Sequence, residues 1–157
     1  MKRHPALIHL SRDHQQGLML AQLLKKNAPE YKGLPTDAVG KMNYAKDLYN
    51  NELDQHFKEE EEFVFPHLTN KSIEIDELVT EILSEHQILQ NSILSLRDDS
   101  NLIDNMDKIG YLLEAHIRKE ERVLFEKIPQ VLSEEELEII KQKFDQTRPD
   151  KKSCKTK

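Results

Sequence analysis

The sequence predicts an all-α protein: an up-down-up-down four-helix bundle with a short fifth helix at its C-terminal end. Three observations carry this expectation. Apolar residues recur at steps of three and four along four long segments, the spacing of a buried helix face. Leu, Ile, Glu, Lys and Gln dominate, tryptophan is absent, and the 157 residues include only four glycines and six prolines, so helix is favoured over strand. The connections between segments two, three and four are short, which makes those neighbours antiparallel.

The first helix is expected to begin near Pro5, a residue suited to the first helical position, and to turn Leu7, Leu10, His14, Leu18 and Ala21 inward. It should fail before Asn27-Ala28-Pro29, where a polar loop holding Gly33 and Pro35 begins. The second helix runs from about Asp37 to about Leu68. Pro66 should bend or fray its last turn. After the turn Thr69-Asn70-Lys71-Ser72, Ser72 is the expected N-cap of the third helix, with Glu74 and Asp76 well placed in its first turn. Its inner face reads Leu78, Ile82, His86, Leu89, Ile93 and Leu96. Arg97-Asp98-Asp99-Ser100 makes the next turn. The fourth helix carries Ile109, Leu112, Leu113, His116, Glu120, Val123 and Leu124 inward and is expected to end before Pro129. Ser133 and Glu136 then form a capping-box pattern that opens a fifth helix ending around Phe144. Residues 1–146 are thus expected to make one helical domain and 147–157 a charged, disordered tail.

Composition excludes several function classes. The formal net charge is -6 with both signs mixed, which argues for solubility and against nucleic acid as the main partner. No apolar run approaches the roughly 18 residues of a membrane helix, and no signal peptide is read at the N-terminus, so the expected compartment is the cytoplasm. Cys154 is the only cysteine, which rules out disulfides within the chain, cysteine zinc sites and iron–sulfur ligation.

The chemistry concentrates on the inner faces. Each of the four long helices carries one histidine there: His14, His56, His86 and His116. Two of these are followed four residues later by a glutamate, Glu60 and Glu120, on the same side of the helix one turn on. His86 is about 15 residues beyond the turn near residue 70 and the His56–Glu60 pair about 12 before it, which puts them at one height to within about a turn. The match to His116–Glu120 across the next turn is looser, and the long first loop leaves His14 less constrained. A lone His-x-x-x-Glu is ordinarily a surface helix pair worth a few tenths of a kcal/mol. Two such pairs on apolar stripes, joined by two more seam histidines, make a metal site. Neutral imidazole suits iron, zinc, copper or nickel, and two facing carboxylates can bridge two cations. Two dications would let both buried glutamates ionise side by side. Iron is favoured, since carboxylate-bridged dimetal sites inside helical bundles are a recurring solution, with zinc as the alternative. Glu-x-x-His and His-Glu-x-x-His are both absent, which disfavours the ferritin-like and zinc-protease arrangements.

Other polar residues have plainer readings. His4 and His9 are expected at the surface or in caps, and His67 in a structural role near a helix end. His4 and His67 share one end of the bundle, which allows only a weak second site. Glu59, Glu61 and Glu62 are expected on the solvated face. Tyr44, Tyr49 and Tyr111 are expected to pack in the core, with hydrogen bonding to metal ligands as the alternative.

Taken together, Asp13-His14, His56-x-x-x-Glu60 with Phe63-Val64-Phe65-Pro66, Glu85-His86, and His116-x-x-x-Glu120-Glu121 with Val123-Leu124-Phe125 resemble the hemerythrin-like family of HHE cation-binding domains over roughly residues 4–128. The resemblance implies a four-helix bundle with a non-haem di-iron centre, in which Glu60 and Glu120 look like bridging carboxylates and the four histidines like terminal ligands. Oxygen-carrying members have a second histidine on the third helix, where this chain has Gln90 in one direction or Ile82 in the other. They also use a carboxylate five residues after the fourth-helix histidine, here Glu121, which lies about 100° around the helix from Glu120. Glu120 is therefore the expected ligand. The implied site is more open than an oxygen carrier's, closer to members that sense oxygen or nitric oxide, handle iron or assist iron–sulfur repair. The expected function is a cytoplasmic metal-binding protein that takes a small diatomic ligand or handles iron, in sensing, stress response or storage. The reading leans away from an enzyme, and a homodimer is one assembly it allows. The alternatives are a di-iron oxidase, peroxidase or nitric-oxide-processing enzyme, and a zinc or structural bundle acting as an interaction module.

Overall fold

The computed structural model describes residues 2–148, which fold into five helices and no strand. A short 3-10 turn, Pro5–Leu7, opens the chain; His4 caps it by accepting the Ala6 N–H on Nδ1 at 3.1 Å. Helix α1 follows directly over Ile8–Leu24. Helix α2 is one continuous rod from Ala38 to Leu68, with Asp37 as N-cap accepting from the Gly40 N–H. It is α-helical over Ala38–Leu48, Asp54–Glu59 and Phe65–Leu68, and opens into π-helical turns at Tyr49–Leu53 and Glu60–Val64. Helix α3 spans Ile73–Leu94 and is capped by Ser72 as expected. Helix α4 joins Leu102–Lys119, a π-helical turn at Glu120–Leu124, and Phe125–Val131. Helix α5, Glu134–Thr147, starts at the Ser133–Glu136 capping box.

Two apolar clusters fill the bundle, with a polar layer between them. One contains Leu20, Leu24, Leu53, Phe57, Leu89, Ile93, Leu113 and Ile117. The other contains Leu7, Leu10, Val64, Leu68, Ile82, Leu124 and Ile128. Along α1 and α3 the chain passes from the second cluster to the first; along α2 and α4 it passes back. That alternation is the up-down-up-down topology. Helix α5 lays Leu137, Ile140 and Phe144 onto the second cluster and so covers that end of the bundle. Helices α1 and α4 run at close range because two glycines face the contact. A Cβ on Gly110 would stand 2.6 Å from the Ala21 carbonyl oxygen, and one on Gly17 2.7 Å from Ile117 Cδ1.

Four expectations about the helices need correction. Helix α4 does not stop before Pro129 but continues to Val131. A proline removes one N–H from the ladder, yet its fixed φ is helical, so two further residues are tolerated at a helix end. Val123 is 39% exposed rather than inward. The π-helical turn adds a residue to the local repeat, and Leu124 takes the core position alone. Helix α5 continues past Phe144, so Thr147 is its last residue and Arg148 its C-cap, buried at 7% exposure. Neither belongs to a solvated tail; the rest of the proposed tail lies outside the described residues. Finally, Glu59 is buried and Glu61 contacts a histidine, so of the three acids only Glu62 is left on the solvated face.

Candidate metal centre

All six predicted residues converge in the layer between the two apolar clusters. Glu60 and Glu120 are 0% exposed, and His14, His56, His86 and His116 are almost wholly buried. His14, His56, Glu60 and Glu120 offer one ligand atom each, all within 4.8 Å of one another; His86, His116 and Glu120 form a second such group. Glu120 belongs to both. His116 Nε2 stands 2.6 Å from Glu120 Oε1, and His56 Nε2 lies against Glu60 Oε1. His14 Nε2 is 3.5 Å from Glu120 Oε2, while His86 Nε2 is 3.6 Å from both Glu60 Oε2 and Glu120 Oε1. None of the four Nε2 atoms or the four glutamate oxygens has a hydrogen bond of acceptable geometry. Eight buried polar atoms without hydrogen-bond geometry are costly unless a positive charge meets them. They are the donor set a pair of cations requires, and the residues fit a dimetal site.

The other ring nitrogens explain how the imidazoles are aimed. Each Nδ1 meets a carboxylate from a neighbouring helix: His56 with Asp13 at 2.9 Å, His14 with Glu121 at 2.7 Å, His86 with Glu61 at 2.9 Å and His116 with Glu85 at 2.7 Å. An ionised carboxylate only accepts, so Nδ1 carries the proton and the Nε2 lone pair is left for a metal. The sequence reading missed the role of these four acids. A signal was present: a carboxylate precedes the seam histidine on α1 and α3 and follows the seam glutamate on α2 and α4. The arrangement repeats with a twofold pattern. Asp13-His14 with His56-x-x-x-Glu60-Glu61 on α1 and α2 matches Glu85-His86 with His116-x-x-x-Glu120-Glu121 on α3 and α4. Both glutamates begin a π-helical turn, a local widening common at functional sites. The phenylalanine five residues after each stacks on a histidine, Phe65 on His86 and Phe125 on His14.

Electrostatics within the layer is one-sided without a cation. Burial and the facing Glu120 charge push the Glu60 carboxyl well above the usual range. Burial acts on Glu120 in the same sense, but His116, His14 and His86 around it dominate and hold it well below. Burial disfavours the charged form of His116 too, yet the charge and close approach of Glu120 and the hydrogen bond to Glu85 outweigh it and raise it to about 10. His14 and His86 are raised by the same balance. Most of these shifts favour the protonated form, so a cation entering the layer would compete with protons.

Residues outside the layer fill lesser roles. His4 and His67 approach different glutamates of α5, Glu134 at 3.5 Å and Glu136 at 3.7 Å. Among the described residues, the groupings competent for a metal are the two in the central layer. Tyr49 packs in the core as expected and donates to Asp54 at 3.3 Å, whereas Tyr111, against the core position expected for it, is exposed with the Lys25 ammonium over its ring; neither is hydrogen-bonded to a candidate ligand. No helix among the described residues is long and apolar enough to cross a membrane.

The fold and the site define a helical-bundle metalloprotein with a carboxylate–histidine centre. The family described as hemerythrin HHE cation binding domain matches residues 9–128, and the chain belongs to that family. No curated protein and no solved structure matches it.

Proposed function

We propose that the centre holds two irons and that its ligand is a small diatomic molecule, oxygen or nitric oxide, bound for sensing, stress response or iron handling. The burial of all six ligand side chains carries this reading. A layer sealed between two apolar clusters admits a diatomic far more readily than an organic substrate. The mixed nitrogen and oxygen donor set suits iron, and zinc is the competing occupant. Glu60 and Glu120 would lie between the two ions, with His14 and His56 on one and His86 and His116 on the other. The third helix carries Gln90 where oxygen-carrying members of the family have a further histidine, so we place the open coordination position on the His86–His116 side. An iron pair supplies electrons and an exchangeable coordination position; the protein's part is to orient the imidazoles and exclude water. Mixed charge and the lone cysteine support a cytoplasmic setting without nucleic acid or membrane partners.

The test is titration of the ferrous protein with nitric oxide and, separately, with oxygen. A saturating spectral change at about one equivalent per iron pair is expected. Sustained consumption of either gas, or of peroxide, under reducing conditions would favour a di-iron enzyme instead. No response in an iron-loaded protein would overturn the diatomic reading.

A further inference from the structure

Arg148 is the C-cap of α5, outside the four-helix bundle, yet its guanidinium reaches the edge of the metal layer. Nη1 donates to Asp13 Oδ1 at 3.0 Å and Nη2 to Asp13 Oδ2 at 2.9 Å, a two-point fork. The same Asp13 Oδ2 accepts the hydrogen bond from His56 Nδ1–H at 2.9 Å. On its other side, Arg148 Nη2 donates to Glu59 Oε1 at 2.6 Å and Nε to Glu59 Oε2 at 3.4 Å. Thr147 Oγ1 also donates to Glu59 Oε2, at 2.9 Å. Arg148 and Glu59 are both buried, so these are not the screened surface pairs that contribute little.

The matching place in the other half is built differently. Glu85, the acceptor for His116, is paired with Lys119, which belongs to α4 itself. At His56 the cation comes from a separate helix at the end of the described chain. A small polar cleft of about 40 Å³, lined by Asp13, Glu52, Gln55 and Arg148, opens beside this pair, so both of its members border the cleft.

We propose that Arg148 is a positioning residue for the His14–His56 half of the centre: gripping Asp13 fixes the His56 ring for metal, and gripping Glu59 ties that half to the docking of α5. The inference rests on the reading that two ions occupy the layer. Its consequence is selective. Loss of the guanidinium should loosen the ion held by His14 and His56 and leave the ion on the His86–His116 side unaffected.

The experiment is anaerobic release of Fe(II) from the loaded full-length chain to an excess of ferrous chelator, followed in time. Arg148→Gln should release one of the two ions about tenfold faster, the scale of losses when a ligand's hydrogen-bond partner is disturbed, and the second at the wild-type rate. Lys119→Gln should speed the other ion, and the double variant both. Arg148→Lys, which keeps charge but not the fork, should fall between wild type and Arg148→Gln. Glu59→Gln should speed the same ion less, and it stands in for Arg148→Gln should that variant not fold. Equal acceleration of both ions in step with a lower melting temperature of the metal-free protein would reduce Arg148 to a structural role and overturn the proposal, as would unchanged rates. If the wild type retains two irons and the variants do not differ, this inference alone fails; if the wild type retains none, the di-iron reading fails and takes this inference with it.

Discussion

The unit that makes the centre work is a single imidazole between two carboxylates. One acid accepts the Nδ1–H hydrogen bond and the other shares the metal side with Nε2, as at His116 between Glu85 and Glu120. The metal-side residues were legible because burial imposes a spacing of three and four on each helix. The Nδ1 acceptors were not. Glu61 and Glu121 lie about 100° around their helices from the seam, and only the neighbouring helix shows that they face His86 and His14 rather than water. Glu121→Gln should therefore lower metal affinity by about 10- to 100-fold without loss of helix, measured by competition with a chelator and by circular dichroism. Glu60→Ala should abolish the dimetal site while leaving the helices folded; full metal stoichiometry in that variant would contradict its assignment. The raised histidines also set a pH dependence. A group whose folded pKa lies above its unfolded one stabilises the fold below the unfolded value and loses that contribution as pH rises through the folded value. For His116 the window runs from 6.5 to about 10. Kept metal-free with chelator, the protein should melt at progressively lower temperature across that window. Metal affinity should change in the opposite sense, rising with pH as protons leave Nε2.

At the scale of the helix, caps and turns were legible and register was not. Ser72 and the Ser133–Glu136 box mark their helices in sequence and cap them in the structure. The π-helical turns at Glu60–Val64 and Glu120–Leu124 have no comparable sequence mark, since they depend on what the widened turn meets across the bundle. The end of α5 was hidden for a related reason. Thr147 and Arg148 look like the start of a polar tail, and their burial follows from Asp13 and Glu59, which are remote in sequence. The glycines of the α1–α4 contact permit a graded test. Gly110→Ala drives a methyl into the Ala21 backbone carbonyl and should cost about 1–3 kcal/mol. Gly17→Ala meets only the flexible end of Ile117 and should cost less. Chemical denaturation of both variants reads the difference; equal costs would mean that the two helices can separate to relieve either contact.

The whole molecule is two apolar halves held around a polar layer that is costly to bury without a cation. The fold class and the position of that layer were legible because one histidine per helix interrupts four otherwise apolar stripes at matching heights. The cover provided by α5 was not, as nothing in its amphipathic pattern states which face of the bundle it meets. Because the layer is assembled only in the folded chain, cations should stabilise it by mass action, by about 2.7 kcal/mol at about 100 times the dissociation constant. A melting temperature that rises on addition of Fe(II), and not on addition of Mg²⁺, is the expected outcome. The central claim, a pair of irons on His14, His56, Glu60, His86, His116 and Glu120, is tested most directly by metal content with the optical spectrum before and after exposure to air. About two irons per chain, with near-ultraviolet absorption of a ferric pair growing in air, is the predicted result. One zinc per chain, or no metal after growth in iron-replete medium, would contradict it.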